Sequence, residues 1–425
     1  MTMPRVLNRP ILHPDQIVGP TLSVSYARLP DSTCEAVFRA LRAGAITQLA
    51  LDRVVLGDNP RPSWDPAWIP MMEAIGDSPS LRCLKVSRNP IGSDMRTIIS
   101  LVERNFHFLS LDLSDTGLTS GSMKSLGEAL KENRTLQFLS LSSNLIYAKG
   151  AENLVEGLQH NTALRVLNLR DCQLKDQGAV AVAKLLRVNR GLRKIDLHHN
   201  CIGDGGVTQI GEAAQTNPVI RAINLSQSMS KIGGARALAG ALVASDSLER
   251  LTLTSTGGRV IGTEGVVAFA QALFSNRALK SLSLSGQKAG PNGAKSLGMA
   301  LRVNETLRAL DLSSCLLGNE EAKALAEALK FNRTVRALSL QNNGIGVKGM
   351  KAILEAVLHG RSIQTLDLSG NPFTKQSLEA LARCIRESLS LRVLFATRLR
   401  MPAEEVRPVL MRAARQSPSL YQYDF

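Results

Sequence analysis

The chain has 425 residues and a mass of 45.8 kDa, and 44% hydrophobic content suffices for two or three ordinary domains or for one long array. Its 51 Lys and Arg against 36 Asp and Glu give a net charge of +15 and a pI near 9.9, which favours an acidic partner: an acidic protein surface or tail, RNA, or an anionic membrane surface. Six scattered cysteines without a CxxC pair exclude a compact disulfide framework, and no apolar run reaches the ~18 residues of a membrane span.

The amino-terminal stretch "MTMPRVLNRPILHPDQ" lacks the continuous apolar core of a secretory signal. Arg5 and Arg9 precede the first acid, Asp15, as in a mitochondrial presequence, but Pro4, Pro10 and Pro14 oppose the helix such a segment needs. The expected location is therefore intracellular and cytoplasmic. Residues 1–45 form a capping segment, with a helix expected over "DSTCEAVFRALRAG".

From residue 46 the chain repeats itself. "LQFLSLSSNLI" from Leu136, "LRVLNLRDCQL" from Leu164, "LRKIDLHHNCI" from Leu192, "LRALDLSSCLL" from Leu307, "VRALSLQNNGI" from Val335 and "IQTLDLSGNPF" from Ile363 share one pattern, and about 13 such starts between Ile46 and Leu391 lie mostly 28 residues apart. Apolar residues at the first, fourth and sixth positions alternate with polar ones, as in a short strand with one buried face. The ninth position holds Asn89, Asn144, Asn200, Asn343 and Asn371, or Cys172, Cys315, Thr116 and Thr256. These small polar groups can satisfy backbone where the strand turns away. A glycine at the fifteenth position (Gly150, Gly178, Gly206, Gly234, Gly293, Gly349) then precedes an apolar helical spacing such as "MKAILEAVLHG".

The pattern LxxLxLxx(N/C/T)xL resembles the leucine-rich repeat, and a 28-residue period with a full helix is similar to its ribonuclease-inhibitor type. That resemblance implies an α/β solenoid bent into a horseshoe, with parallel strands on the concave face and helices on the convex face. The repeat array is expected over 46–400, with an insertion near 55–70, and residues 401–425 as a capping helix and strand. In the closing strand Leu420, Tyr423 and Phe425 should point inward.

Chemical candidates are few. "DLHHNCIGD", residues 196–204, gathers an aspartate, His198, His199 and Cys201, but Asn200 falls at the ninth position, so the stretch is an ordinary repeat with a solvated, partner-accessible surface. "GPNGAKS", residues 290–296, lacks the spacing of a phosphate loop, and Gly293 is the fifteenth-position glycine. No catalytic constellation, cofactor site or metal site is expected. N-x-[ST] matches at Asn133, Asn224, Asn304 and Asn332 fall in repeat-consensus positions.

Two surfaces are candidates for a partner. The second repeat position holds Arg82, Arg165, Arg193, Arg221, Lys280, Arg308, Arg336 and Arg392, with Arg134, Arg190, Arg277, Arg333 and Arg361 just upstream, so a basic band should run where helices return to strands. The proline-rich insertion carries both tryptophans, Trp64 and Trp68. The loops "SQSMSKIGG" and "TSTGGRVIG" are a further irregular stretch.

The expected function is a non-enzymatic protein–protein interaction scaffold or adaptor. The first-repeat region "LALDRVVLGDNPRPSWDPAWIPMMEAIGDSPSLRCLKV" resembles centrosomal leucine-rich repeat proteins of ciliogenesis, which implies a cytoskeletal, ciliary or centrosomal setting. The even repeats are also similar to the Ran GTPase-activating protein and to innate-immune receptor arrays of NOD-like type. A ribonucleoprotein component binding a polyanion through the basic edge is a further alternative, disfavoured by few aromatics on the strands.

Overall fold

The computed structural model describes residues 17, 19–56, 68–89, 91, 95–104, 107–256 and 260–425, with the side chains of 95–97 and 104 left aside. The chain divides into two compact units, Met1–Asn200 and Cys201–Phe425, each an α/β solenoid.

In the first unit, short parallel strands stack rung on rung, Phe138–Ser140 against Val166–Asn168 and that strand against Lys194–Asp196. In the second unit the same ladder runs from Ala222–Asn224 to Gln422–Asp424. The first, fourth and sixth positions bury as the alternation requires: Leu136, Leu139 and Leu141 are 2%, 0% and 0% exposed. Each such leucine contributes about 1.5–3 kcal/mol of apolar burial, repeated on every rung.

At the eighth position the strand turns through a left-handed residue, as at Arg88 (φ 59°), Ser143 (φ 58°), His199 (φ 56°) and Asn342 (φ 52°). At Gly286 (φ 76°) the turn passes so close to its neighbour that a Cβ would collide with the Ser255 carbonyl.

Ninth-position asparagines form the expected ladder. Asn144 Oδ1 accepts the N–H groups of Thr116 at 3.1 Å and Leu118 at 2.9 Å, while its Nδ2 donates to the Leu113 carbonyl at 2.8 Å. Cys172 and Cys315 take the same place, their thiols donating to Leu141 O at 3.3 Å and Leu284 O at 3.1 Å. Where the insertion after Thr256 enlarges a repeat, a glutamine stands in for the asparagine. Gln287 donates to Leu253 O at 2.6 Å and accepts the Ile261 N–H at 2.9 Å.

Fifteenth-position glycines mark close approaches between repeats. A Cβ on Gly150 would lie 2.9 Å from Ser120 Cα. Helix starts are also tied across repeats: Asp204 Oδ1 accepts the N–H groups of Lys231 and Gly234, at 2.6 and 2.8 Å, around the start of the helix Ile232–Ala244.

The two ends differ from the sequence expectation in detail. Ahead of the expected helix, found at Asp31–Arg42, the strand Thr21–Ser25 pairs in parallel with Gln48–Asp52, so the ladder begins one rung before Ile46. At the other end Gln422–Asp424 pairs with Val393–Phe395, but Tyr423 stays 37% exposed and Leu420 and Phe425 half-buried. With no further rung over them among the described residues, Tyr423 and Phe425 stack on each other, ring centroids 4.8 Å apart.

Candidate interaction surfaces

The histidine stretch is built as an ordinary rung. Asp196 ends its strand and accepts the His198 N–H at 3.0 Å, while Asn200 is buried and accepts the N–H of Cys172 at 2.8 Å. His199 lies outward in the left-handed turn, its Nδ1 3.1 Å from Asp171 Oδ1. Burial, and then the Arg170 charge, hold the His198 imidazole below its ordinary pKa. Among the described residues no hydroxyl or thiol is hydrogen-bonded to either ring, and no three His, Cys, Asp or Glu side chains are grouped to hold a metal ion.

The structure separates the basic band into two classes. Arg134, Arg190, Arg277 and Arg333 fold back onto helix ends: their Nη1 atoms donate to the carbonyls of Lys131 (2.6 Å), Arg187 (3.0 Å), Phe274 (3.0 Å) and Lys330 (3.1 Å). Helix C-termini leave carbonyls unbonded and carry partial negative charge, so these cations have a structural task. Within the second-position row, Arg165 donates to Gly191 O at 2.9 Å, and Glu249 pairs with both Arg221 at 3.4 Å and Lys280 at 3.0 Å. Arg193, Arg308 and Arg336 are exposed, with no side-chain partner among the described residues. Arg308 and Arg336 occupy consecutive rungs, the Arg336 N–H bonding the Arg308 carbonyl at 2.7 Å.

A second asparagine ladder, which the sequence reading passed over, runs along the helix ends. Asn161, Asn189, Asn304 and Asn332 are each at most 3% exposed. Asn189 donates to Leu158 O and Asn161 O, both at 2.8 Å, and accepts the N–H groups of Gly191 and Leu192 at 2.9 and 2.7 Å. The signal was present in the N-x-[ST] matches at Asn133, Asn304 and Asn332, whose side-chain nitrogens are buried in these bonds and closed to glycosylation.

On the strand face of the second unit lies a depression of about 250 Å³ lined by Ala309, Ala337, Thr365, Asp311, Asp367 and Phe395, among others. The outward third position narrows to Ser281, Ala309, Ala337 and Thr365 between Arg250 and Val393 in the same row, and this fall in side-chain size opens the space.

A family model described as Leucine Rich repeat matches residues 132–155, 160–183, 188–211, 303–326, 331–354 and 359–382, each segment running from a helix end through a strand into the next helix. The chain is a leucine-rich repeat protein. Its strand, turn and full helix are those of the ribonuclease-inhibitor type. Among solved structures it is similar to "Leiomodin-1 Actin-Binding Site 2", at 17% identity over 36% of this chain and 87% of that one, with a TM-score of 0.31. It is also similar to the tropomodulin C-terminal domain of Caenorhabditis elegans, at 18% identity over 36% and 92%, with a TM-score of 0.32. No curated protein matches it.

Of the two tryptophans of this repeat protein, Trp64 lies outside the described residues. Trp68 opens the helix Trp68–Gly76 and is 3% exposed, so its indole belongs to the core beneath the first repeats and offers no surface to a partner. Among the described residues of this region an exposed aromatic is Tyr26, which the sequence reading did not single out. The guanidinium groups of Arg53 and Arg88 each lie 5.4 Å from its ring centroid, and Arg88 Nη1 donates to its hydroxyl at 3.0 Å. Arg88 also grips the buried Asp52, with Nε 2.7 Å from Oδ1.

Proposed function

We propose that this leucine-rich repeat protein is a non-enzymatic interaction scaffold that docks a protein partner with an acidic surface along the second-position cations of its second unit. The observation that carries the reading is the pair Arg308 and Arg336, on consecutive rungs and without a partner among the described residues, in a row where Arg221 and Lys280 already share Glu249. Like charges on neighbouring rungs cost stability unless a counter-charge relieves them. Guanidinium groups in such an array match carboxylates in bidentate geometry. A backbone already ordered by two asparagine ladders has little conformational freedom to lose on binding. An intracellular setting is supported by six cysteines that are all free thiols. A cytoskeletal, ciliary or centrosomal partner is the implication of the first-repeat resemblance alone, of which residues 57–67 lie outside the described residues.

The test is affinity purification from the source cells with the wild-type chain and an Arg308→Gln, Arg336→Gln double variant, each with and without nuclease. The expected result is a partner retained after nuclease, released by salt, and lost in the double variant. Partners lost only on nuclease treatment would instead favour nucleic acid as the polyanion.

A further inference from the structure

Resting on that reading, we propose that the strand face of the second unit recognises a partner segment carrying an acidic and a basic side chain together. The acidic group is held by Arg308 and Arg336, and the basic group is seated in the depression against Asp367 and Phe395. The two fifth-position carboxylates of this depression are not equivalent. Asp311 is occupied on both oxygens: Oδ1 accepts from the Ser313 N–H and hydroxyl, at 3.0 and 2.6 Å, and Oδ2 from Ser283 Oγ at 2.7 Å. Asp367 accepts the Ser369 N–H on Oδ1 at 3.0 Å, and its Oδ2 has no hydrogen-bond partner among the described residues. Phe395 stands in register with it on the next rung, and both line the depression. A half-buried carboxylate with one open oxygen beside an aromatic ring, above a floor of alanines, fits a lysine or arginine end group: charge pairs with the oxygen and the alkyl stem covers the floor.

Arg308 and Arg336 directly precede Ala309 and Ala337, so the cationic rim lies at the strand entrance while Asp367 lies at the strand exit of a neighbouring rung. Three residues of strand separate the second and fifth positions, roughly 10 Å at ~3.3 Å per residue. An extended segment with its acid and base four residues apart presents both on one face and, with the reach of the side chains, spans that distance. Charge complementarity at both rims thus selects a bipolar segment over a uniformly acidic one.

The test uses the full chain and acetylated, amidated Gly/Ser peptides carrying Glu and Arg separated by three residues, with Glu-only and Arg-only controls, titrated by calorimetry. The two-charge peptide is expected to bind about tenfold tighter than the Glu-only peptide, equivalent to about 1.4 kcal/mol. Asp367→Asn should remove that advantage while keeping Oδ1 for the Ser369 N–H, and an unchanged thermal midpoint would verify its fold. Phe395→Leu should reduce the advantage in part. Equal affinity of Asp367→Asn and wild type for the two-charge peptide, or absence of peptide binding up to about 1 mM, overturns the proposal. If Glu-rich peptides still bind through Arg308 and Arg336 while the arginine adds nothing, the acidic-partner reading stands and only the bipolar site fails.

Discussion

Asn189 donates a hydrogen bond to the main-chain carbonyl of Asn161 at 2.8 Å, so one asparagine side chain holds the backbone of the asparagine that does the same work one repeat earlier. Its other amide hydrogen and its oxygen are taken up by Leu158, Gly191 and Leu192, all of it out of contact with water. Replacing Asn189 by alanine leaves the Asn161 carbonyl and the N–H groups of Gly191 and Leu192 without these partners in a buried seam, while the Leu158 carbonyl keeps the Asn161 N–H at 3.1 Å. Each unsatisfied group costs roughly 1–3 kcal/mol, with partial relief from relaxation. The expected outcome is a loss of about 2–4 kcal/mol, read as a lowered thermal midpoint together with faster hydrogen exchange in the helix Lys175–Val188. Asn189→Ala with unchanged stability would remove the helix-end ladder as a source of order.

The fate of the histidine stretch follows from its rung. His198 titrates below the ordinary value of about 6.5 because burial, followed by Arg170, disfavours its charged form. A depressed histidine pKa means that the unfolded chain binds the proton first. Its contribution to stability is therefore complete above pH ~6.5 and declines as pH falls through the folded value. NMR titration of the imidazole resonances should place the His198 midpoint below 6.5. His198→Ala with His199→Ala should leave metal content unchanged, and stoichiometric zinc lost from that double variant would contradict the geometry.

Asp52, which is buried, and Arg88, which reaches it from the exposed side, make an ion pair in the first unit. Burial raises the Asp52 pKa, but the Arg88 and Ser87 hydrogen bonds and the Arg88 charge outweigh it, and the carboxyl titrates below its ordinary value. The sign follows: this carboxylate stabilises the fold above its unfolded pKa of about 3.9, and the contribution is lost as pH falls through the folded value. Asp52→Asn should lower stability at pH 7 by roughly 1–2 kcal/mol, the exposure of Arg88 to solvent screening part of the pair. It should also flatten the acid limb of the stability profile below pH ~4. An acid limb of unaltered slope would show that the pair carries no pH dependence.

Thiol reactivity separates the cysteines by environment. Burial pushes the thiols of Cys172, Cys315 and Cys384 up to about 12, whereas Cys201 is exposed. Since the thiolate is the nucleophile, a maleimide at pH 7 should label Cys201 within minutes and Cys172, Cys315 and Cys384 only on unfolding. Peptide mass spectrometry after a short pulse reads the difference, and rapid native labelling of Cys172 or Cys315 would contradict their place in the ladder.

The fold was legible because its signals are local and repeated. Leu139 and Leu141 declare a buried strand by alternation, and Asn144 declares a turn by recurring at one offset. The strand Thr21–Ser25 was hidden because "TLSVS" lacks the leucine pattern of its neighbours, although Leu22 and Val24 bury as theirs do. The surface was less legible, since a linear sequence does not say which acceptor an arginine reaches. Arg333 and Arg336 are three residues apart and look alike in sequence. Trp68 looked like a surface residue because its insertion is rich in proline, and only packing shows that the indole is covered.

Arg333 and Arg336 therefore provide the contrast between structural and partner-directed charge. Arg333 Nη1 donates to Lys330 O at 3.1 Å and also to the Gly360 carbonyl, bridging a helix end to the end of the next helix, Val347–Gly360. Arg336 has no such acceptor among the described residues. Arg333→Ala is expected to lower stability by about 1–2 kcal/mol, since two carbonyls lose a charged donor at a partly buried site. Arg336→Ala should change stability by less than ~0.5 kcal/mol, as for a surface position, and should weaken capture of an acidic partner severalfold. Thermal denaturation and partner titration on the same pair of variants measure both effects. If Arg336→Ala destabilised the chain as much as Arg333→Ala while partner affinity stayed constant, the second-position row would be part of the scaffold, and the acidic partner would have to dock elsewhere.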